Sequence, residues 1–157
     1  MRSVALALCC ALTSLFLVAS APAAQAAGPR LDRGERAIVR AINRARSHYG
    51  LHRLHAGGKL ARAADAHSRS MLAADYFAHG SFASRVRRYA SFKRVGETLA
   101  WNSRCGARTF VRMWLGSPSH RAVLLSHRFR RIGIGRRVGH LGIRRACVVT
   151  ADFASRH

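Results

Sequence analysis

The chain has 157 residues and carries 28 Lys and Arg against 6 Asp and Glu, a formal net charge of +22 at neutral pH. That length suits one domain with one core and leaves little room for a multidomain enzyme. The charge draws the chain to anionic polymers and acidic lipid without naming a site, and since 26 of the 28 basic residues are Arg, a GC-rich codon bias explains the excess equally well.

From the N-terminus, Arg2, the apolar run Val4–Val18 and the small-residue stretch Ala24-Gln25-Ala26 have the layout of a secretory signal peptide ending at residue 26. The apolar run is too short for a permanent membrane span, and no later segment approaches one, so an integral membrane protein is not expected. Cleavage would leave a net charge of +21, a short leader over residues 27–33 and one domain over residues 34–155. Cys9 and Cys10 would leave with the signal, so Cys105 and Cys147 are the two cysteines of the exported chain. They read as one disulfide, worth about 4 kcal/mol by loop closure, with two buried thiols as the other reading.

Asp32 followed by Glu35 is a capping-box pair that opens a helix running to about Tyr49, with Ile38, Ile42, Ala45 and Tyr49 on its apolar face and Arg36, Arg40 and Arg44 on another. Gly50 ends it, and residues 51–58 read as loop. A second helix over about Lys59–Ala74 places Leu60, Ala64, His67 and Met71 on one stripe, so His67 reads as a structural core histidine hydrogen-bonded to a neighbour, with a ligand role as the other reading. A loop around His79 and Gly80 follows, anchored by Tyr76, Phe77 and Phe82, and then a short helix over Arg85–Tyr89. Cys105–Leu115 reads as a helix presenting Phe110, Val111 and Trp114. Ser117 and Pro118 start another that carries His120 and ends near Ser126. Ile132–Gly135 and Ala146–Phe153 change to strand character, joined through Gly139–Gly142. Helices first and strands last make an α+β fold. His48, His52, His55 and His157 fall in loop or terminal contexts and are expected to be solvated.

Phosphate loops, H-E-x-x-H pairs and G-x-S-x-G turns are absent from the sequence, and with six acids a paired-carboxylate glycosidase site could arise only by long-range assembly. What remains is an ordered series. Ala63-x-x-x-His67-Ser68-x-x-Met71 is followed by Phe77-Ala78-His79, Gly96-Glu97-Thr98-Leu99-Ala100 and Trp114-Leu115-Gly116-Ser117-Pro118-Ser119-His120-Arg121. Ile132–Gly135 and Val148–Phe153 close it, and Ile42-Asn43-x-x-Arg46 with Gly50-Leu51 precede it. In this order and spacing the motifs resemble the CAP superfamily (cysteine-rich secretory proteins, antigen 5 and pathogenesis-related proteins), especially its short bacterial members, over about Arg36–Phe153.

The resemblance implies a three-layer α-β-α sandwich with a central, mostly antiparallel sheet. It also implies a surface groove lined by two histidines and two acids. By motif these are His79, Glu97 and His120, while the second acid falls near Ser117 and is missing; Thr98 stands where the family has Asn. Two imidazoles and a carboxylate can hold a Zn²⁺-like ion with water in the fourth position, which makes His79 and His120 the candidate metal ligands; no cofactor is required. The same groups can instead form a hydrogen-bonded cluster, with Glu97 paired to an Arg.

Three functions follow. One is a secreted protein that binds a lipid, an anionic cell-envelope polymer or a host component through the His79, Glu97, His120 and Ser117 groove, with no catalytic residue. The second is a metal-dependent hydrolase, a peptidase or nuclease, with Glu97 as its base. The third is a nonspecific polyanion binder that holds nucleic acid by charge alone.

Overall fold

The structure is a computed structural model that describes residues 31–155; the expected signal peptide with Cys9 and Cys10, residues 27–30 of the expected leader and His157 lie outside the described residues. Helix α1 spans Arg33–His48 and starts as its sequence dictates. The Asp32 carboxylate accepts from the Glu35 N–H at 2.7 Å, and the Glu35 carboxylate accepts from the Asp32 N–H at 2.8 Å. Gly50, at φ +66°, supplies the left-handed turn after the helix. Ile38 and Ile42 are fully buried, but Tyr49 is not on the core face as the periodicity predicts: it caps the helix 45 % exposed, with the Arg121 guanidinium over its ring. Buried polar groups carry part of the packing instead. Asn43 clamps Leu54, donating to its carbonyl at 3.0 Å and accepting from its N–H at 2.8 Å. Arg46 donates to the carbonyls of Leu124 and Ser126 at 2.7 and 3.0 Å. The spacing Asn43-x-x-Arg46 is thus a staple between α1 and two distant loops. His52, expected to be solvated, is part-buried in the same region, its Nε2 2.7 Å from the Phe129 carbonyl.

The remaining elements are β1 (His55–Ala56), α2 (Gly58–Ala73), α3 (Phe82–Arg87), β2 (Val95–Asn102), α4 (Ala107–Gly116), α5 (Pro118–Leu124), β3 (Arg131–Leu141) and β4 (Arg144–Ala154). β1 lies where a loop is expected; two residues carry no periodicity, and only pairing with Arg131 and Ile132 makes them a strand. α3 begins three residues before the expected Arg85 and ends two residues before Tyr89. The sheet order is β1-β3-β4-β2, antiparallel except at β1. Side chains alternate across it. Cys147, Val149, Ala151 and Phe153 of β4 meet α1, α4 and α5, whereas Ala146, Val148 and Ala154 meet α2 and α3. Helices on both faces give the three-layer α-β-α arrangement within an α+β fold. Cys105 and Cys147 form the disulfide, Cα to Cα 5.4 Å, tying the segment just before α4 to the middle of the sheet.

On β3 the residues facing α2 are Gly133 and Gly135. A Cβ on either would overlap backbone of α2, at Leu60 and Ala61 or at Ala64 and Asp65. The helix therefore rests on bare strand, and the Ser68 hydroxyl can reach the Gly135 carbonyl and the Thr150 hydroxyl, both at 2.9 Å. Gly133→Ala and Gly135→Ala are each expected to cost about 3 kcal/mol, because backbone cannot yield as a side chain would. Gly58→Ala, where a Cβ meets nothing, is the control and should leave the urea midpoint unchanged or slightly raised. A Gly135→Ala midpoint equal to that of Gly58→Ala would refute the close approach.

Candidate functional site

β2 is an edge strand, and a histidine from each helical layer comes together beyond it. His79 sits in the loop between α2 and α3, and its position is fixed from below. The buried His67 Nε2–H donates to the Ala78 carbonyl at 3.0 Å. Burial first, and then the Arg85 charge, hold the His67 pKa down at about 4, so this bond is kept by a neutral ring across ordinary pH. Arg85 of α3 donates to the His79 carbonyl at 3.2 Å. From the other layer, α5 opens on Ser117 and Pro118 and presents His120, its ring centroid 6.0 Å from that of His79. Ser117 takes the cap position without a side-chain capping bond; its hydroxyl lies 3.3 Å from that of Ser119.

Beneath His79 lies a buried charged cluster. The Glu97 side chain is wholly buried; one carboxylate oxygen accepts from His79 Nδ1 at 2.8 Å and the other from Arg85 Nη2. Directly opposite on β4, in register, stands Asp152, with no exposed surface. Its Oδ1 is 4.0 Å from Arg85 Nη2, and neither oxygen has a hydrogen bond of ordinary geometry. One guanidinium thus serves two carboxyl groups. Burial pushes Glu97 up to about 7 against the pull of Arg85. Burial and the Glu97 charge push Asp152 well above the usual carboxylate range, against the pull of Arg85.

Residues 39–149 match the CAP family, described as the cysteine-rich secretory protein family. The chain belongs to this family. Among solved structures, an extracellular SCP-domain protein from Bacillus anthracis is 26 % identical, covers 78 % of this chain with 40 % of its own, and superposes with a TM-score of 0.68. An outer surface protein from Borrelia burgdorferi is 21 % identical, covers 83 % of this chain with 99 % of its own and has the same TM-score, which speaks for the fold alone. A curated relative, an uncharacterized membrane protein from Bacillus subtilis, is 32 % identical over 107 residues; the match takes in 64 % of this chain but only 31 % of that protein. Among the described residues of this CAP domain, no helix is long and apolar enough to cross a membrane.

The CAP site differs from the sequence expectation in three ways. The acid sought near Ser117 is absent there, and the second acid of the buried cluster is Asp152, paired in register with Glu97 from the far end of the chain. Arg85, absent from the expected set, is the cluster's cation. Of the expected loop anchors, Phe77 is 40 % exposed, while Tyr76 does anchor the loop, packing on the Met71 and Leu99 cluster with its hydroxyl 3.1 Å from that of Ser70. Phe77, Trp101, Met113 and His120 line a groove of about 390 Å³ floored by Leu99 and Trp114. Trp114 is held there by donating its indole N–H to the Leu99 carbonyl at 2.9 Å.

Both groove histidines are neutral at pH 7. Burial and Arg85 lower His79, while burial and then His79 lower His120. With Nδ1–H directed at Glu97, His79 keeps Nε2 as an acceptor, the tautomer in which a carboxylate orients a metal-binding imidazole. The fit to a cation nevertheless stops at two ligands. Glu97 is consumed by His79 and Arg85, and no group of three His, Cys, Asp or Glu among the described residues is arranged to hold a metal ion.

Proposed function

We propose that this CAP domain is an extracellular binding protein that accepts an amphiphile along the β2 edge, its apolar part in the Phe77, Trp101 and Met113 groove and its polar head at His79 and His120. The observation that carries this reading is the full engagement of Glu97. A carboxylate with one oxygen on His79 and the other on Arg85, wholly buried, has no free lone pair within reach of a groove water, so it serves as a support for His79 rather than as a general base. An apolar groove with a few convergent polar groups is the usual form of a small-ligand site. Action outside the cell is supported by the disulfide and by the extracellular SCP-domain relative.

The two neutral imidazoles also suit a Zn²⁺-like ion, which would bind weakly and exchangeably with water completing its shell. It would be released as protons compete for both rings. Bound there, it would supply a Lewis-acid contact for the ligand's head group.

A dansylated fatty acid is expected to bind with rising fluorescence. Met113→Glu should weaken it at least tenfold by placing a charge on the apolar wall, and His120→Ala by about threefold. Binding indifferent to Met113→Glu would remove the groove from the function. Peptide or nucleic-acid turnover lost in Glu97→Gln would establish the hydrolytic reading instead.

A further inference from the structure

All six acidic residues of the chain are accounted for inside the fold. Asp32 and Glu35 cap α1 and meet Arg136, Asp65 takes Arg69 and Arg137, Asp75 accepts from the Gly142 N–H, and Glu97 and Asp152 surround Arg85. The remaining arginines are not spread evenly. Arg40 and Arg44 of α1 face Arg108 and Arg112 of α4 across a groove of about 790 Å³. Each pair is spaced i, i+4, so its members stand one above the other on the helix, about 6 Å apart along the axis. All four are exposed, and among the described residues none has an ion pair or side-chain hydrogen bond. A second groove of about 210 Å³ shares Arg40 and Arg44 and adds Arg53, so the unpaired guanidiniums form a continuous strip.

The rest of the lining is as informative as the charges. Ala37, Ala41 and Ala107 make a smooth floor, and Thr109 has the one polar side chain besides the arginines. There is no aromatic ring on which a base or a sugar could stack, and few partners for sugar hydroxyls. At one end lies the start of α4, whose cap residue Gly106 offers no side-chain acceptor to the first N–H groups. Guanidiniums present planar pairs of donors that match phosphate oxygens. An anion-dense chain with neither bases nor many hydroxyls satisfies this groove best.

We propose that the α1–α4 groove is a second binding site, separate from the histidine groove, for a linear phosphate polymer whose phosphates are joined directly or through short polyols. Arg40, Arg44, Arg108 and Arg112 clamp successive phosphates from two sides, and the strip toward Arg53 extends the track. Such a site is defined by position, not by total charge, and this separates it from a general attraction to polyanions.

The experiment measures the affinity of the chain for fluorescent inorganic polyphosphate of one length over a series of salt concentrations. Arg44→Gln with Arg112→Gln is compared with Arg144→Gln and Arg145→Gln, which remove the same charge from exposed residues at the β3–β4 turn. The groove pair should weaken binding at least tenfold and lower the salt slope by about two, one for each phosphate that no longer meets a guanidinium. The turn pair should weaken it less than twofold. Arg44→Lys with Arg112→Lys, which keeps the charge but removes the fork, should fall between them, and circular dichroism melts check that each variant folds. Equal weakening by the groove and turn pairs would overturn the site. Single-stranded DNA or heparin bound as tightly per charge, with the same dependence on Arg44 and Arg112, would overturn the phosphate-polymer assignment. Poly(glycerol phosphate) in a parallel arm identifies the source, since tighter binding than polyphosphate marks a polyol-linked ligand and weaker binding a directly linked one. His120→Ala, which removes no charge and lies outside the arginine groove, should leave polyphosphate affinity unchanged, so this site and the amphiphile groove can fail independently.

Discussion

Arg85→Met is expected to stay close to wild-type stability near pH 6 and to fall about 3 kcal/mol below it by pH 9. The reason is the proton held by Glu97. Its folded pKa of about 7 lies above the unfolded value of 4.5, so the folded state binds more protons between those two pH values and stability declines as pH rises through that window. Above about pH 7 the wild-type carboxylate ionises against Arg85, and its own contribution to the decline stops. Without the guanidinium, Glu97 keeps its proton in the fold, and the variant continues to lose about 1.4 kcal/mol per pH unit relative to wild type. Asp152 and His67 contribute their own slopes, but His67, held at about 4 by burial and partly by Arg85 itself, changes stability only below about pH 6.5 and so stays outside the window from pH 7 to pH 9 in which the gap opens. Urea unfolding of both proteins at several pH values reads this directly. A gap that is already several kcal/mol at pH 6 and constant to pH 9 would mean that Arg85 acts through packing and not through the shared carboxyls.

The Cys105→Ala, Cys147→Ala variant should lose about 4 kcal/mol, the closure entropy of a loop whose ends are 42 residues apart, and melt roughly 15 °C lower. Cys147 is 1 % exposed in the main core cluster, so alanine there also leaves a small void. Reductant should reproduce most of the shift in the wild type and none in the variant. A melting point unchanged by reductant would show that the bridge adds nothing the core does not already supply. α4 carries Arg108 and Arg112 on one side and Met113 and Trp114 on another, so the bridge before it positions the walls of both grooves.

Much of this fold is legible where local chemistry is unambiguous. Asp32 with Glu35, Gly50, the Leu60 to Met71 stripe, and Ser117 with Pro118 each encode a boundary or a face within a few residues. Tyr49 misleads because periodicity continues past the point where the helix stops. β1 is invisible because its strand character is supplied by β3. The site divides the same way. His79, Glu97 and His120 stand out as polar residues in otherwise apolar motifs, and His67 follows from its stripe. Arg85 is hidden among many arginines, and Asp152 is separated from Glu97 by the whole second half of the domain. One signal was available: each of the two buried strands carries a single acid, and two such strands paired in register bring their acids together.

The position of β4 has a consequence for how the chain reaches this state. It is the last strand in sequence yet lies inside the sheet, between β3 and β2, with β2 bonded to it alone. Until residues 144–154 are available, β2 has no partner strand, and the carboxylates of Glu97 and Asp152 have not met. The helices can form early from local contacts, but their apolar faces have only a partial surface to cover. Folding of this topology is therefore a late, cooperative event governed by contacts distant in sequence. Up to residue 143 the chain has no complete sheet to commit to, and loss of β4 would remove the middle of the structure, not its margin.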